Sequence, residues 1–294
     1  MKYTKIPLNF EEQANLILSR GLIADKDILI EKLKAVNYYR LSGYWYPFKN
    51  SDDSFMPNAT LDKVWQRYTF DRQLRLLVLD AIERVEISVR TNIVYYHSHA
   101  HGAFGYLNGQ TLPKLNKNDF TILNGKITNA LNQSKAEFII HFQKKYGDTH
   151  NCPPIWMLAE IIPFGTMFTF FRGLEKSIKR DIAKEYVIAF GVLESWLSSL
   201  NTVRNICAHH GRLWNRVLGL RPLIPDKDNQ WHMPVKIANE RMFGILSILQ
   251  YMLKNIAPQS KWKDRLEVLF NKYPDIPLDQ MGFPENWKDC PIWK

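Results

Sequence analysis

The chain has 294 residues, 46% of them apolar, with 39 Lys and Arg against 29 Asp and Glu and a formal charge of +10. That apolar content can bury a substantial core, and the basic balance fits a polyanionic partner such as nucleic acid. Three widely spaced cysteines, Cys152, Cys207 and Cys290, exclude a disulfide framework and a Cys-x-x-Cys metal site. No run approaches the ~20 apolar residues of a bilayer span, and none comes after the first lysines, so a cytoplasmic protein is expected.

Phe10 to Arg20 has helical spacing and stops at Gly21, and Asp27 to Val36 gives a second helix with Ile28, Leu29, Leu33 and Val36 on its apolar side. Asn37 to Phe48 reads as an aromatic loop in which six aromatics alternate with Arg40 and Ser42. Such rings can stack on bases, but aromatics this dense point first to packing. Ser51 to Ala59 is a polar loop, and Thr60 is placed to cap the next helix. Leu61 to His101 holds no glycine or proline, and Leu74, Leu77, Val78, Ala81, Val85, Val89 and Ile93 form one stripe. That predicts a long central helix, with an earlier break near Tyr68 left open.

On this helix Arg90 and His97 have six residues between them, a spacing that fits an arginine-histidine nuclease pair only loosely. Seven positions bring them to one face about 10 Å apart along the axis, long for a joint site. The plainer reading pairs Arg90 with an acid such as Glu86 and puts His97, His99 and His101 at a polar helix end. No cysteine or acid completes a metal set there, so neither metal nor cofactor is expected.

Gly102 to Asn118 breaks the pattern and divides the chain into an N-terminal region, 1–101, and a C-terminal region, 102–294, packed as one unit. Two helices are predicted over Asp119 to Lys145. A buried run from Ile155 to Leu174 is kinked at Pro163 and Gly165, with Glu160 inside it needing an arginine partner. A short helix is expected at Ser177 to Tyr186. Beyond the motif come a loop (Arg221 to Pro234), a helix (Lys236 to Ile256), a last helix through Phe270 and a Pro-rich extended end. Strand signals are sparse, so the fold is all-α.

Asn201 to Arg216, N-T-V-R-N-I-C-A-H-H-G-R-L-W-N-R, gathers three arginines, two histidines and three asparagines. Upstream, Leu193, Trp196, Leu197, Leu200, Val203 and Cys207 recur at helical intervals, so the segment is a helix that should stop near His209 or His210 with Gly211 in a left-handed turn. On an unbroken helix Arg204 and His209 point roughly 140° apart; a helix that ends or loosens between them lets His209 return towards Arg204. An arginine fork binds phosphate, and a histidine moves a proton. Attack of a ribose 2'-hydroxyl on its own phosphate needs those two groups and no metal.

Arg204, Asn205 and His209 match the arginine, polar residue, four-to-six positions, histidine pattern of the HEPN ribonucleases, and R-N-I-C-A-H-H-G-R-L-W-N-R resembles the signature of the Abi-like abortive-infection proteins of bacteria. The likeness extends to N-Y-Y-R-L-S-G-Y-W-Y-P-F (Asn37 to Phe48), the helix around Glu83 to Arg90, and P-P-I-W-M-L-A-E-I-I-P-F-G (Pro153 to Gly165). It implies a multi-helix HEPN-type bundle with extra N-terminal helices and an extended C-terminal tail. It also implies a homodimer with a composite active site acting on RNA in phage defence, with an antitoxin RNA or protein among the conceivable partners. In that scheme Arg204 stabilises the transition state, His209 is acid or base, Asn205 orients, His210 is a lesser proton carrier, and Arg212, Asn215 and Arg216 hold flanking phosphate or ribose.

Two readings stand beside it. The same residues can be structural, with Arg204 and Arg216 in salt bridges and the histidines closing a helix. Alternatively, the basic cleft can bind RNA or a partner without cutting. Nucleotidyl transfer has neither a Gly-rich phosphate loop nor paired acids behind it.

Overall fold

The computed structural model describes residue 2, residue 4 and residues 6–294. Of the opening stretch on which the export expectation rests, Met1, Tyr3 and Lys5 lie outside the described residues. Asn9 starts α1 (Phe10–Ser19) with a capping box, accepting from the Glu12 N–H at 2.9 Å while the Glu12 carboxylate accepts from the Asn9 N–H at 2.8 Å. Asp25 caps α2 (Lys26–Val36) by accepting from the Ile28 N–H at 3.0 Å.

The aromatic stretch is not a loop. It forms α3 (Tyr38–Trp45) and a 3-10 turn, Tyr46–Phe48. Asn37, at φ +72°, reverses the chain, and its side chain accepts from the Tyr39 N–H at 2.8 Å. Leu41, Tyr44 and Trp45 then fall on one face and are buried, so packing is their role, while Tyr39 and Tyr46 remain exposed.

Thr60 caps α4 (Leu61–His101), as the sequence suggests, accepting from the Lys63 N–H at 3.3 Å. This helix runs 41 residues without a break at Tyr68, about 60 Å at 1.5 Å per residue. Every member of its predicted stripe is buried. The remaining helices are α5 (Lys117–Gln133), α6 (Glu137–Tyr146), α7 (Ile155–Ile161), α8 (Phe164–Gly173), α9 (Lys176–Lys184), α10 (Phe190–Ala208), α11 (Met242–Ile256) and α12 (Trp262–Lys272). Pro163 splits the predicted kinked helix into α7 and α8. Glu160 is exposed at the end of α7, which corrects the expectation that it is buried and needs an arginine partner. Among the described residues strand pairing amounts to two isolated bridges, so the architecture is an all-α bundle.

The long helix touches α3, α7, α8, α9, α10, α11 and α12. The largely apolar α11, buried from Met242 to Leu253 with Ser247 and Gln250 among the buried residues, runs beside it. This helix starts six residues later than its apolar pattern suggests, because residues 236–241 fold over its first turn. A Cβ on Gly244 would lie 2.6 Å from the Ala238 carbonyl oxygen.

The C-terminal stretch is also not a free extended tail. It forms 3-10 turns at Leu278–Met281, Trp287–Asp289 and Pro291–Trp293, and Met281, Phe283, Trp287, Ile292 and Trp293 are buried. Trp262 donates to the Leu77 carbonyl at 2.8 Å and Trp293 to Ser247 Oγ at 2.9 Å. These bonds satisfy the indole donors that burial would otherwise strand.

Candidate functional site

The apolar face of α10 carries Leu193, Trp196, Leu197, Leu200, Val203 and Cys207, all buried, which leaves Arg204 half-buried and Asn205 exposed beside it. Burial pushes the Cys207 thiol up to about 12, so it is an inert core group. Arg204 Nη1 lies 3.4 Å from Asn205 Oδ1, a long contact that leaves the fork largely unengaged.

The helix does not loosen between Arg204 and His209. His209 is its C-cap, and the His209 N–H still donates to the Asn205 carbonyl at 3.0 Å, one full turn back. The helix thus stays regular up to Ala208, and among the described residues no hydrogen bond joins Arg204 to His209. His209 and His210 are both exposed.

The chain leaves the helix through two reversed bonds. The Gly211 N–H donates to the Ile206 carbonyl at 2.7 Å and the His210 N–H to the Cys207 carbonyl at 3.0 Å, the paired arrangement of a Schellman motif. The left-handed residue is His210, at φ +58°, and not Gly211. Glycine is needed at 211 for a different reason: a Cβ there would lie 3.1 Å from Ile206 Cγ2 and 3.2 Å from its carbonyl oxygen.

From His210 onward the motif loop is held by the N-terminal helices. Arg40 Nη1 donates to the His210 carbonyl at 2.6 Å, and Arg212 donates to the Gly43 carbonyl. Asp71 on α4, fully buried, accepts from the Leu213 and Trp214 N–H groups at 3.0 and 2.7 Å, from Tyr44 Oη at 2.6 Å, and from Arg75. Four donors satisfy an acceptor-only carboxylate. Burial pushes the Asp71 carboxyl upward, and the Arg75 charge, Tyr44 and the two N–H groups oppose it. Burial, then the Asp71 charge, also raises Tyr44 well above the phenol range.

Arg212, half-buried, thus spends a donor on α3. Arg216 is exposed, and its Nε donates to the Arg212 carbonyl at 3.0 Å; Asn215 is half-buried, with its carbonyl taking Arg241 at 3.4 Å. Of the expected phosphate-holding residues, Arg216 is the one whose side chain is plainly open to solvent.

Arg90 and His97 do not make a second site. Arg90 bonds Glu86 at 2.7 Å and the Ile162 carbonyl at 3.3 Å. His97 is fully buried rather than part of a polar helix end, with Nε2 3.3 Å from Thr111 Oγ1 and its ring against Phe170. Burial, with His101 adding to it, brings His97 down to about 4. Glu86, which pairs with Arg90, is influenced by both arginines: burial raises its carboxyl, and the charges of Arg90 and then Arg204 pull it back. Among the described residues no group of three or more His, Cys, Asp or Glu side chains is arranged as metal ligands, and no helix is long and apolar enough to cross a membrane.

The sequence reading missed Arg40, Tyr44, Asp71 and Arg75. The signal for two of them was present, since Asp71 and Arg75 are an i,i+4 pair lying within the stripe of Phe70, Leu74 and Val78. Residues 31–215 match the family described as Abi-like protein. No curated protein and no solved structure matches the chain.

Proposed function

The chain belongs to the Abi-like protein family, which ties it to abortive infection, and from that membership we propose that it is a metal-independent RNA endoribonuclease of phage defence. The observation that carries this reading is the open end of α10. There an arginine fork and two exposed histidines stand within seven residues, where α10 runs into a loop whose backbone is fixed from below by Arg40, Asp71 and Arg75. Fixing the backbone and leaving the side chains open is what a preorganised site requires.

In the proposed reaction His209 accepts the ribose 2'-hydroxyl proton as that oxygen bonds to the adjacent phosphorus. Arg204 meets the charge on the phosphoryl oxygens, and the 5'-oxygen departs as its bond to phosphorus breaks, taking a proton from water. The products are a 2',3'-cyclic phosphate and a 5'-hydroxyl. Since Arg204 and His209 leave one helix roughly 140° apart, two copies are proposed to face each other, as in HEPN ribonucleases, so that Arg204 of one works with His209 of the partner subunit.

The same separation favours a second reading if the chain acts singly, in which the basic surface binds RNA without cutting it. Incubating wild type, Arg204→Ala and His209→Ala with labelled RNA in EDTA decides between them. Cleavage to cyclic phosphate ends by wild type alone supports the nuclease. Equal RNA binding by all three with no cleavage supports the binder.

A further inference from the structure

The 3-10 turn after α3 ends at Phe48, and Arg67 of α4 lies over its ring, with the guanidinium carbon 3.8 Å from the ring centroid. The same carbon is 5.3 Å from the ring centroid of Trp214, in the motif loop. Aromatic rings thus occupy the neighbourhood of the guanidinium, yet it makes no hydrogen bond or ion pair among the described residues, and its Nη1 is buried without a partner. Burial lowers the Arg67 pKa, and no acid offsets that cost. Arg75, about two turns along α4, and Arg90, farther along the same helix, each have a carboxylate.

Arg67 also lines a cavity of about 240 Å³ together with Phe48, Lys63, Gln66, Asp275 and Ile276. Lys63 donates to the Asn58 carbonyl at 3.0 Å and keeps its other donors, while Gln66 gives one of its two amide N–H donors to Asp62 at 2.9 Å. Asp275 is exposed and pairs with neither cation. The formal balance of the lining is one positive charge. A desolvated, stacked guanidinium is held in place before a ligand arrives, and its planar fork suits tetrahedral oxyanions. The space takes a phosphate and little of any attached nucleoside.

We propose that this cavity is a phosphoryl-anion site, in which Arg67 and Lys63 hold inorganic phosphate or the terminal phosphate of an RNA. Because Arg67 also touches Trp214, an anion here bears on the loop that carries Arg212 and Arg216. The site does not depend on the nuclease reading, and His209→Ala protein, which is expected not to cut, keeps the two separable.

The test is thermal unfolding and calorimetric titration of His209→Ala protein with inorganic phosphate, at ionic strength matched with chloride. Phosphate should raise the midpoint by a few degrees through mass action, with the rise lost in an added Arg67→Gln, whose planar amide can still lie on Phe48. Lys63→Gln, on the rim, should weaken phosphate binding several-fold without loss of fold. Short RNAs with a 5'-phosphate or a 5'-hydroxyl distinguish the sources. A preference of about tenfold for the phosphorylated strand, lost with Arg67→Gln, assigns the site to an RNA end, whereas equal binding of both strands with the phosphate effect intact assigns it to the free anion. No effect of phosphate on either readout, or the same effect in Arg67→Gln, overturns the proposal.

Discussion

The carboxylate of Asp71 accepts the backbone N–H of Trp214 at 2.7 Å across 143 residues of chain. With Arg75, Tyr44 and the Leu213 N–H, it ties the central helix, α3 and the loop after α10 into one buried polar joint.

Breaking one partner of that joint should cost more than removing both charges. Asp71→Leu leaves Arg75 charged and nearly buried, a loss of roughly 3–5 kcal/mol, and Arg75→Leu strands the carboxylate in the same way. The double variant Asp71→Leu, Arg75→Leu should recover part of that loss, read as a non-additive term in urea unfolding of all four proteins. Strict additivity would show that the two side chains do not act as a pair.

Glu86 is paired with Arg90 at 2.7 Å and is also acted on by the Arg204 charge, so its negative charge works against phosphate at the proposed catalytic fork. Glu86→Gln keeps the shape and removes the charge. RNA affinity should rise several-fold, and the slope of log affinity against log salt should steepen by about 0.7 if one more phosphate contact forms on a single strand. Filter binding between low and moderate salt checks this; unchanged affinity and slope would mean that Arg204 is not restrained by Glu86.

The stripes of α4 and α10, the cap at Thr60 and the halt of α10 at His209 were legible because apolar period, capping residue and terminal punctuation agree there. Asn37 to Phe48 was not, because six aromatics at both buried and exposed positions obscure a period that Leu41, Tyr44 and Trp45 alone would show. The closing stretch misled for the opposite reason: prolines signal extension locally, and only the grooves beside α11 turn Phe283, Trp287 and Trp293 into core. At the site, Arg204 and His209 are written in the motif, whereas the support beneath it depends on contacts such as Arg40 to His210, 170 residues apart. No local pattern encodes a bond of that span.

His97 gives the fold an acid-sensitive point. It is fully buried with His101 facing it, its pKa brought to about 4 against an unfolded value near 6.5. Between those values the unfolded chain binds a proton that the folded chain refuses. The contribution is therefore complete above about pH 6.5 and is lost as pH falls towards 4, by roughly 3 kcal/mol in all. His97→Met should flatten this part of the profile in denaturant titrations at stepped pH, although it is less stable at neutral pH. A profile as steep as wild type would place the sensitivity elsewhere.

The two residues closing α10 should respond in opposite directions, and one of them separates the histidines. His210 holds a left-handed backbone that costs an L-residue about 1–2 kcal/mol, and glycine at this C' position removes that cost while losing some entropy on folding. His210→Gly should therefore leave stability equal or raise it by up to about 1 kcal/mol, since Arg40 bonds the carbonyl and not the ring. Gly211→Ala should lower it by about 1–2 kcal/mol, because the new Cβ meets Ile206 Cγ2 at 3.1 Å and its carbonyl oxygen at 3.2 Å. In the RNA assay, His209→Ala is expected to lose 10²–10⁴-fold, roughly the worth of a general base, whereas His210→Gly keeps most of the rate. If the folded His210→Gly protein loses as much as His209→Ala, the proton-moving group is the residue at the left-handed turn, and the spacing from Arg204 to the working histidine is one position longer than proposed.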